Sequence, residues 1–270
     1  MPVAVGPRAR LQTSPGQATR SERRPGSHAA NDANPEKRVI AAVIVTSDKC
    51  YENRETGQAY REGDAIGGHD PYSASKGCAE LVTAAYGRSF FQPGASHTSI
   101  ASVRAGNVVG GGDWANDRLV PDIARGLTAG RDVIIRRPDA VRPWQHVLEP
   151  LHGYLKVAEH LLEKGPLPWE AWNFGPDKVS EQTVEAVARL ACNIWGRPDA
   201  LKIEPDRNAL HEATLLQLDS GKARTGLGWQ PRWDFHATLK HTMEWYRNFA
   251  DGRDMQAFTL AQIDAYRDHS

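Results

Sequence analysis

Seven consecutive apolar residues, 39–45, run straight into Thr46-Ser47-Asp48-Lys49. An unbroken apolar run, rather than alternation, predicts a strand covered on both faces and so a parallel sheet. Asp70-Pro71 predicts a helix start, with a capping carboxylate and proline in the first turn. Ala74, Leu81, Val82, Ala85 and Tyr86 extend it with helical periodicity to about Phe90. A second strand follows at 99–104 and ends in the glycine-rich AGNVVGGGDW. Further on, the pattern predicts a helix at 119–128, a short strand at 133–135 and a longer amphipathic helix at 147–163. It then gives a strand at 172–174, a helix capped by Ser180 that runs to Trp195, and two final helices near 237–249 and 254–266. Strands alternate with helices, so the fold class is α/β.

Residues 1 to about 37 break this pattern. They are rich in Pro, Gly, Ser and Arg and nearly lack large apolar side chains. Such a stretch cannot bury enough surface to offset its ordering entropy, and it reads as a disordered leader, 1–38. Its arginines and scarcity of acids resemble a transit peptide, but its prolines and glycines oppose the amphipathic helix that one needs. An unstructured leader or a misplaced start is the simpler reading.

Composition narrows the function classes. Lys plus Arg and Asp plus Glu stand at 33 each, so no general field favours nucleic acid or an anionic membrane. The three cysteines form no CxxC pair and suggest neither a disulfide framework nor a metal site. They suit a cytoplasmic setting. No apolar run is long enough for a membrane helix. The tryptophans at 114, 144, 229 and 233 read as core or interface anchors.

Candidate chemistry gathers at the end of the first strand, where open parallel sheets bind ligands. Downstream, DPYSASKGCAE sets Tyr72 and Lys76 four apart on one helix face. A nearby ammonium lowers a tyrosine's pKa and suits it to act as a general base. A Ser47 hydroxyl on the same substrate oxygen completes a set for taking a proton from an alcohol while a hydride leaves its carbon. On their own, Asp48 and Lys49 read as an exposed ion pair at a strand-to-loop turn, and His211 as a surface histidine.

The segments TSDKCYENRE, DPYSASKGCAE, RAGNVVGGGDW, RLVPDIARG and RPWQHVLEPLHGYL resemble the extended short-chain dehydrogenases/reductases that act on nucleotide sugars, and among them the CDP-glucose 4,6-dehydratases. The resemblance spans about residues 39–250. It implies a partial Rossmann-like parallel sheet with a smaller C-terminal substrate-binding lobe, NAD as cofactor, a nucleotide-sugar substrate and a homodimer. Residues 39–160 would form the catalytic part and 161–270 mainly the nucleotide-sugar lobe, the two interleaving. Tyr72, with Lys76 and Ser47, would take the C4 hydroxyl proton, and Thr46, Tyr72 and Lys76 would meet the cofactor. Asp48 would serve as acid and Lys49 as base in the loss of water across C5 and C6. Asn107 and Arg142 would hold the diphosphate or sugar. Arg118 and Val120 would lie by the base, with His211 and Glu212 also on the nucleotide side.

The glycine-rich turn that holds a dinucleotide pyrophosphate at a helix N-terminus has no counterpart in this sequence. The resemblance therefore carries the catalytic half of a dinucleotide site and leaves out the adenosine half. It leaves both NAD binding and the dimer open, with the first strand exposed on one side.

Overall fold

The computed structural model describes residues 39–55, 57–165, 167–205 and 216–269. The leader, His211 and Glu212 lie outside them. From Val39 onward the chain forms one compact unit.

Its first layer is a parallel sheet of β1 (Ala41–Val45), β2 (Ser99–Ala105) and β7 (Glu170–Phe174), in the order β1-β2-β7. Val45 pairs with Val103, and Ala105 with Phe174. All seven residues of β2 are buried, as the central strand of a covered sheet requires. β1 lacks the cover on both faces that its apolar run alone suggests and is open on one side, the exposure also expected for it. It has one neighbour among the described residues, and Val45 is 56% exposed.

Helix α1 (Pro71–Phe90) begins where expected, with Asp70 accepting from the Ser73 N–H. Its apolar positions do not face the core, however. Ser73, Gly77, Glu80, Thr83, Ala84 and Gly87 are buried, while Leu81 is 61% exposed and Val82, Tyr86 and Phe90 lie open beside it. Small and polar residues bring this helix close to the sheet, and its apolar stripe points away.

α3 (Leu148–Lys164) and α5 (Gly221–Leu227) pack on the sheet through a core that includes Val103, Val157, Leu161, Trp172, Phe174 and Trp229. A second core joins α2 (Leu119–Thr128), α4 (Val184–Trp195) and α6 (Phe235–Ala250), which α7 (Met255–Asp268) flanks. It includes Ile123, Leu127, Val187, Cys192, Leu239 and Met243. The two cores draw on interleaved stretches: α2 serves the second core, and α5 the first.

Short pairs bridge the elements: β3 (Val108–Val109) with β6 (Gln145–His146), β4 (Val133–Ile135) with β9 (Leu201–Ile203), and β5 (Val141–Pro143) with β8 (Glu181–Thr183). Ser180 is not the cap of α4. It is buried in a short turn, β8 intervenes, and Thr183 accepts from the Ala186 N–H at 3.1 Å. Trp144, Trp229 and Trp233 are core residues, whereas Trp114 is exposed and edges onto Tyr246 and Phe249.

Candidate active site

β1 ends in a tight turn. Ser47 caps it by accepting from the Lys49 N–H at 3.0 Å, and its hydroxyl also bonds toward the Asp48 carboxyl. Asp48, Lys49 and Cys50 make one turn of 3-10 helix. Asp48 is not the exposed ion-pair member that the bare dipeptide suggests: it is 5% exposed. Burial pushes its carboxyl up to about 6, against the pull of Lys49 and the hydrogen bonds at the turn.

Gly106 makes this burial possible. A Cβ there would collide with the Asp48 carboxylate. Gln145 braces the same spot, donating to the Gly106 carbonyl at 3.3 Å and to that of Phe174 at 2.9 Å.

α1 packs against the Asp48–Cys50 turn. Tyr72 in its first turn is 55% exposed, and the Lys76 ammonium lies 5.6 Å from the ring centroid. Thr46 is turned inward. It is buried, and its hydroxyl bonds the Glu80 carboxylate, so it ties β1 to α1 rather than presenting a donor to a cofactor.

Beneath these residues lies a polar network that was not expected from the sequence. Arg104 of β2 grips Glu80 of α1 with two parallel bonds, Nε to Oε1 at 2.9 Å and Nη2 to Oε2 at 2.8 Å. Ser102 donates to Oε2 at 2.7 Å. Arg104 also donates to the Tyr51 hydroxyl at 2.6 Å, which in turn donates to Asn173 of β7 at 2.8 Å. Burial alone would raise the Glu80 carboxyl, but the hydrogen bonds and charge of Arg104 outweigh it and hold it low.

Next to the turn, residues 107–121 and 136–144 border a cleft of about 580 Å³. The structure places Asn107, Arg118, Val120 and Arg142 together around it. Asn107 adopts φ +50, a left-handed conformation that asparagine tolerates better than most residues. Arg136 and Arg137 also line the cleft, as do Asp113 and Asp117. The sequence reading missed these four. Arg136 and Arg137 directly follow β4, and residues just past a strand end are where a ligand was to be sought.

The loop 110–118 on one side of the cleft leans on α6. Gly111 sits so close to the Trp245 ring that a side chain would clash, and Tyr246 donates to the Asp113 carbonyl at 2.6 Å. Among the described residues, no group of acidic, histidine or cysteine side chains is arranged to hold a metal. No helix among them is long and apolar enough to cross a membrane.

A parallel strand whose end presents a serine and a buried carboxyl, beside a helix bearing Tyr and Lys four apart, defines a Rossmann-type dehydrogenase-like α/β protein. The chain belongs to the family described as GDP-mannose 4,6 dehydratase, whose model matches residues 28–242. It is similar to the CDP-glucose 4,6-dehydratase of Salmonella typhimurium, with 48% identity over 231 residues, or 84% of this chain and 64% of that protein.

Solved structures share the fold. One is a dTDP-glucose 4,6-dehydratase from Bacillus anthracis in complex with NAD, with TM-score 0.64 and 21% identity over 78% of this chain and 63% of that one. Another is a UDP-glucose 4-epimerase from Thermus thermophilus in complex with NAD, with TM-score 0.59 and 22% identity over 77% and 64%. The chain spans less than two thirds of the length of each of these three proteins.

Proposed function

We propose that the chain carries the catalytic and nucleotide-sugar-binding part of an NAD-dependent CDP-glucose 4,6-dehydratase, a hydro-lyase forming CDP-4-keto-6-deoxyglucose. The observation that carries this reading is the buried Asp48 carboxyl at the end of β1, with the Tyr72–Lys76 helix packed on the same turn. The 48% identity to a CDP-glucose 4,6-dehydratase supports the choice of sugar nucleotide.

Each residue then has a defined task. Tyr72 accepts the proton of the sugar 4-hydroxyl, and the Lys76 ammonium favours the phenolate that does so. Ser47 donates to the same sugar oxygen. Once C4 is a ketone, the proton on C5 is acidic, and Lys49, acting as the neutral amine, removes it. Asp48 gives its proton to the departing C6 hydroxyl. A carboxyl pushed up to about 6 holds that proton in about a tenth of molecules at pH 7, far more often than an ordinary carboxyl does. Arg142 and Arg118, in the cleft, face the diphosphate and nucleotide, a task that the planar guanidinium suits.

Bound NAD supplies the hydride acceptor and donor. The Tyr72 phenol and Lys76 ammonium would meet the nicotinamide-ribose end of that dinucleotide. No GxGxxG or GxxGxxG occurs in the chain to hold its pyrophosphate.

A second reading is a chain that binds the nucleotide sugar without turning it over. Incubation with CDP-glucose and excess NAD+, read at the absorbance of a 4-keto-6-deoxy sugar, separates the two. Product supports catalysis, and CDP-glucose binding without product supports the second reading. The outward apolar stripe of α1 suits pairing with a second copy, which sedimentation tests. The unpaired Cys50, Cys78 and Cys192 suit a reducing cytoplasm.

A further inference from the structure

We propose that Glu80, paired with Arg104, is a positioning residue that fixes α1, and with it Tyr72 and Lys76, against the Ser47–Asp48–Lys49 turn. The inference rests on the proposed dehydratase chemistry for its catalytic meaning, but its geometry stands apart from it.

Glu80 lies two helical turns beyond Tyr72 and one beyond Lys76, on the buried side of α1. Glu80 is 2% exposed and Arg104 is 1% exposed. Both carboxylate oxygens are engaged, by Thr46 and Arg104 Nε on Oε1, and by Ser102 and Arg104 Nη2 on Oε2. Thr46 is the residue immediately before Ser47. Arg104 stands two residues before Gly106, on which the Asp48 carboxylate rests. One carboxylate therefore ties the helix that carries the tyrosine base to both strand ends that shape the acid's pocket. Through Tyr51 and Asn173, the tie reaches the third strand.

A fold in need of stability alone gains little from such a pair. Replacing a buried ion pair with apolar side chains of similar volume is often neutral or stabilising, whereas removing one partner leaves a bare buried charge. The bidentate Arg–carboxylate fork adds something that an apolar contact lacks, a fixed direction and register. α1 has particular need of it, because its core-facing side is small and polar and its large apolar residues point outward.

The test is the double variant Glu80→Leu/Arg104→Met in the full chain. The first readout is the midpoint of the Asp48 carboxyl titration, followed by 13C NMR, which needs no turnover. The second is kcat and KM with CDP-glucose and NAD+. The expected result is a folded protein whose Asp48 midpoint moves by half a pH unit or more. Its kcat falls at least tenfold, while KM for CDP-glucose stays within twofold.

Should the double variant fail to fold, Thr46→Val is decisive, because it removes the β1–α1 tie and keeps the ion pair. It is expected to move the same midpoint. A folded double variant, or a folded Thr46→Val, with an unmoved Asp48 midpoint overturns the proposal. Absence of turnover in the unaltered chain would sink the dehydratase reading, and the NMR readout would still decide the role of Glu80.

Discussion

The Asp48 carboxylate rests on the α-carbon of Gly106, where even one methyl group would displace it. An acid from the end of β1 and a glycine just past β2 thus form one contact, and β1 and β2 are adjacent parallel strands in register. In the proposed mechanism, the contact fixes where Asp48 can deliver its proton.

Gly106→Ala is therefore expected to push Asp48 out of its pocket. The dehydration rate should fall about 100-fold, within the range that general acids contribute. Thermal stability should change much less, since Asp48 gains solvent as it moves. Measurement of kcat alongside a melting curve checks both parts.

The raised Asp48 pKa has a direct consequence for stability. A carboxyl whose folded value of about 6 exceeds its ordinary 3.8 stabilises the fold fully below pH 3.8, and that contribution is lost as pH rises through 6. At neutral pH the native carboxylate is a burden. Asp48→Asn should thus stabilise the chain above pH 6, by up to about 3 kcal/mol from roughly two pKa units. The gain should shrink toward pH 4, and chemical denaturation across that range measures it. The same variant should lose the dehydration step.

Tyr72→Phe and Lys76→Met remove the proposed base and the ammonium that tunes it. Each should lower kcat by about 10²–10⁴-fold, with CDP-glucose affinity little changed, because neither residue lines the arginine-bearing cleft. Isothermal titration together with initial rates separates binding from chemistry.

Arg142→Ala should act in the opposite sense. A hydrogen bond to a charged group is worth about 1.5–3 kcal/mol, so the Kd for CDP-glucose should rise about ten- to a hundredfold. Calorimetry of CDP and CDP-glucose binding reads this directly.

Glu149 ties α3 to the C-terminal helices. It is fully buried and accepts from the backbone N–H of Arg232 and Trp233 and from the Tyr266 hydroxyl at 2.7 Å. Glu149→Ala strands those donors and should destabilise the chain by about 3–5 kcal/mol, seen as a lower denaturation midpoint.

Much of this was legible in the sequence because it depends on short-range pattern. The Asp70-Pro71 start of α1, the strand at β2 and the YxxxK spacing are local, and the structure places all three where they were expected. Orientation was not legible. The apolar positions of α1 mark a helix, but nothing local says that Ser73, Glu80 and Thr83 face inward instead. Asp48 beside Lys49 looks like a solvated pair because the glycine that buries it lies 58 positions away in sequence. The Glu80–Arg104 grip joins residues 24 apart and needed the folded sheet to appear.

The most direct test of the account is incubation of the purified chain with CDP-glucose and excess NAD+, followed at the absorbance of a 4-keto-6-deoxy sugar. The account predicts product from the unaltered chain, formed at least about a hundredfold more slowly by Tyr72→Phe. An unaltered chain that binds CDP-glucose and yet forms no product would contradict it.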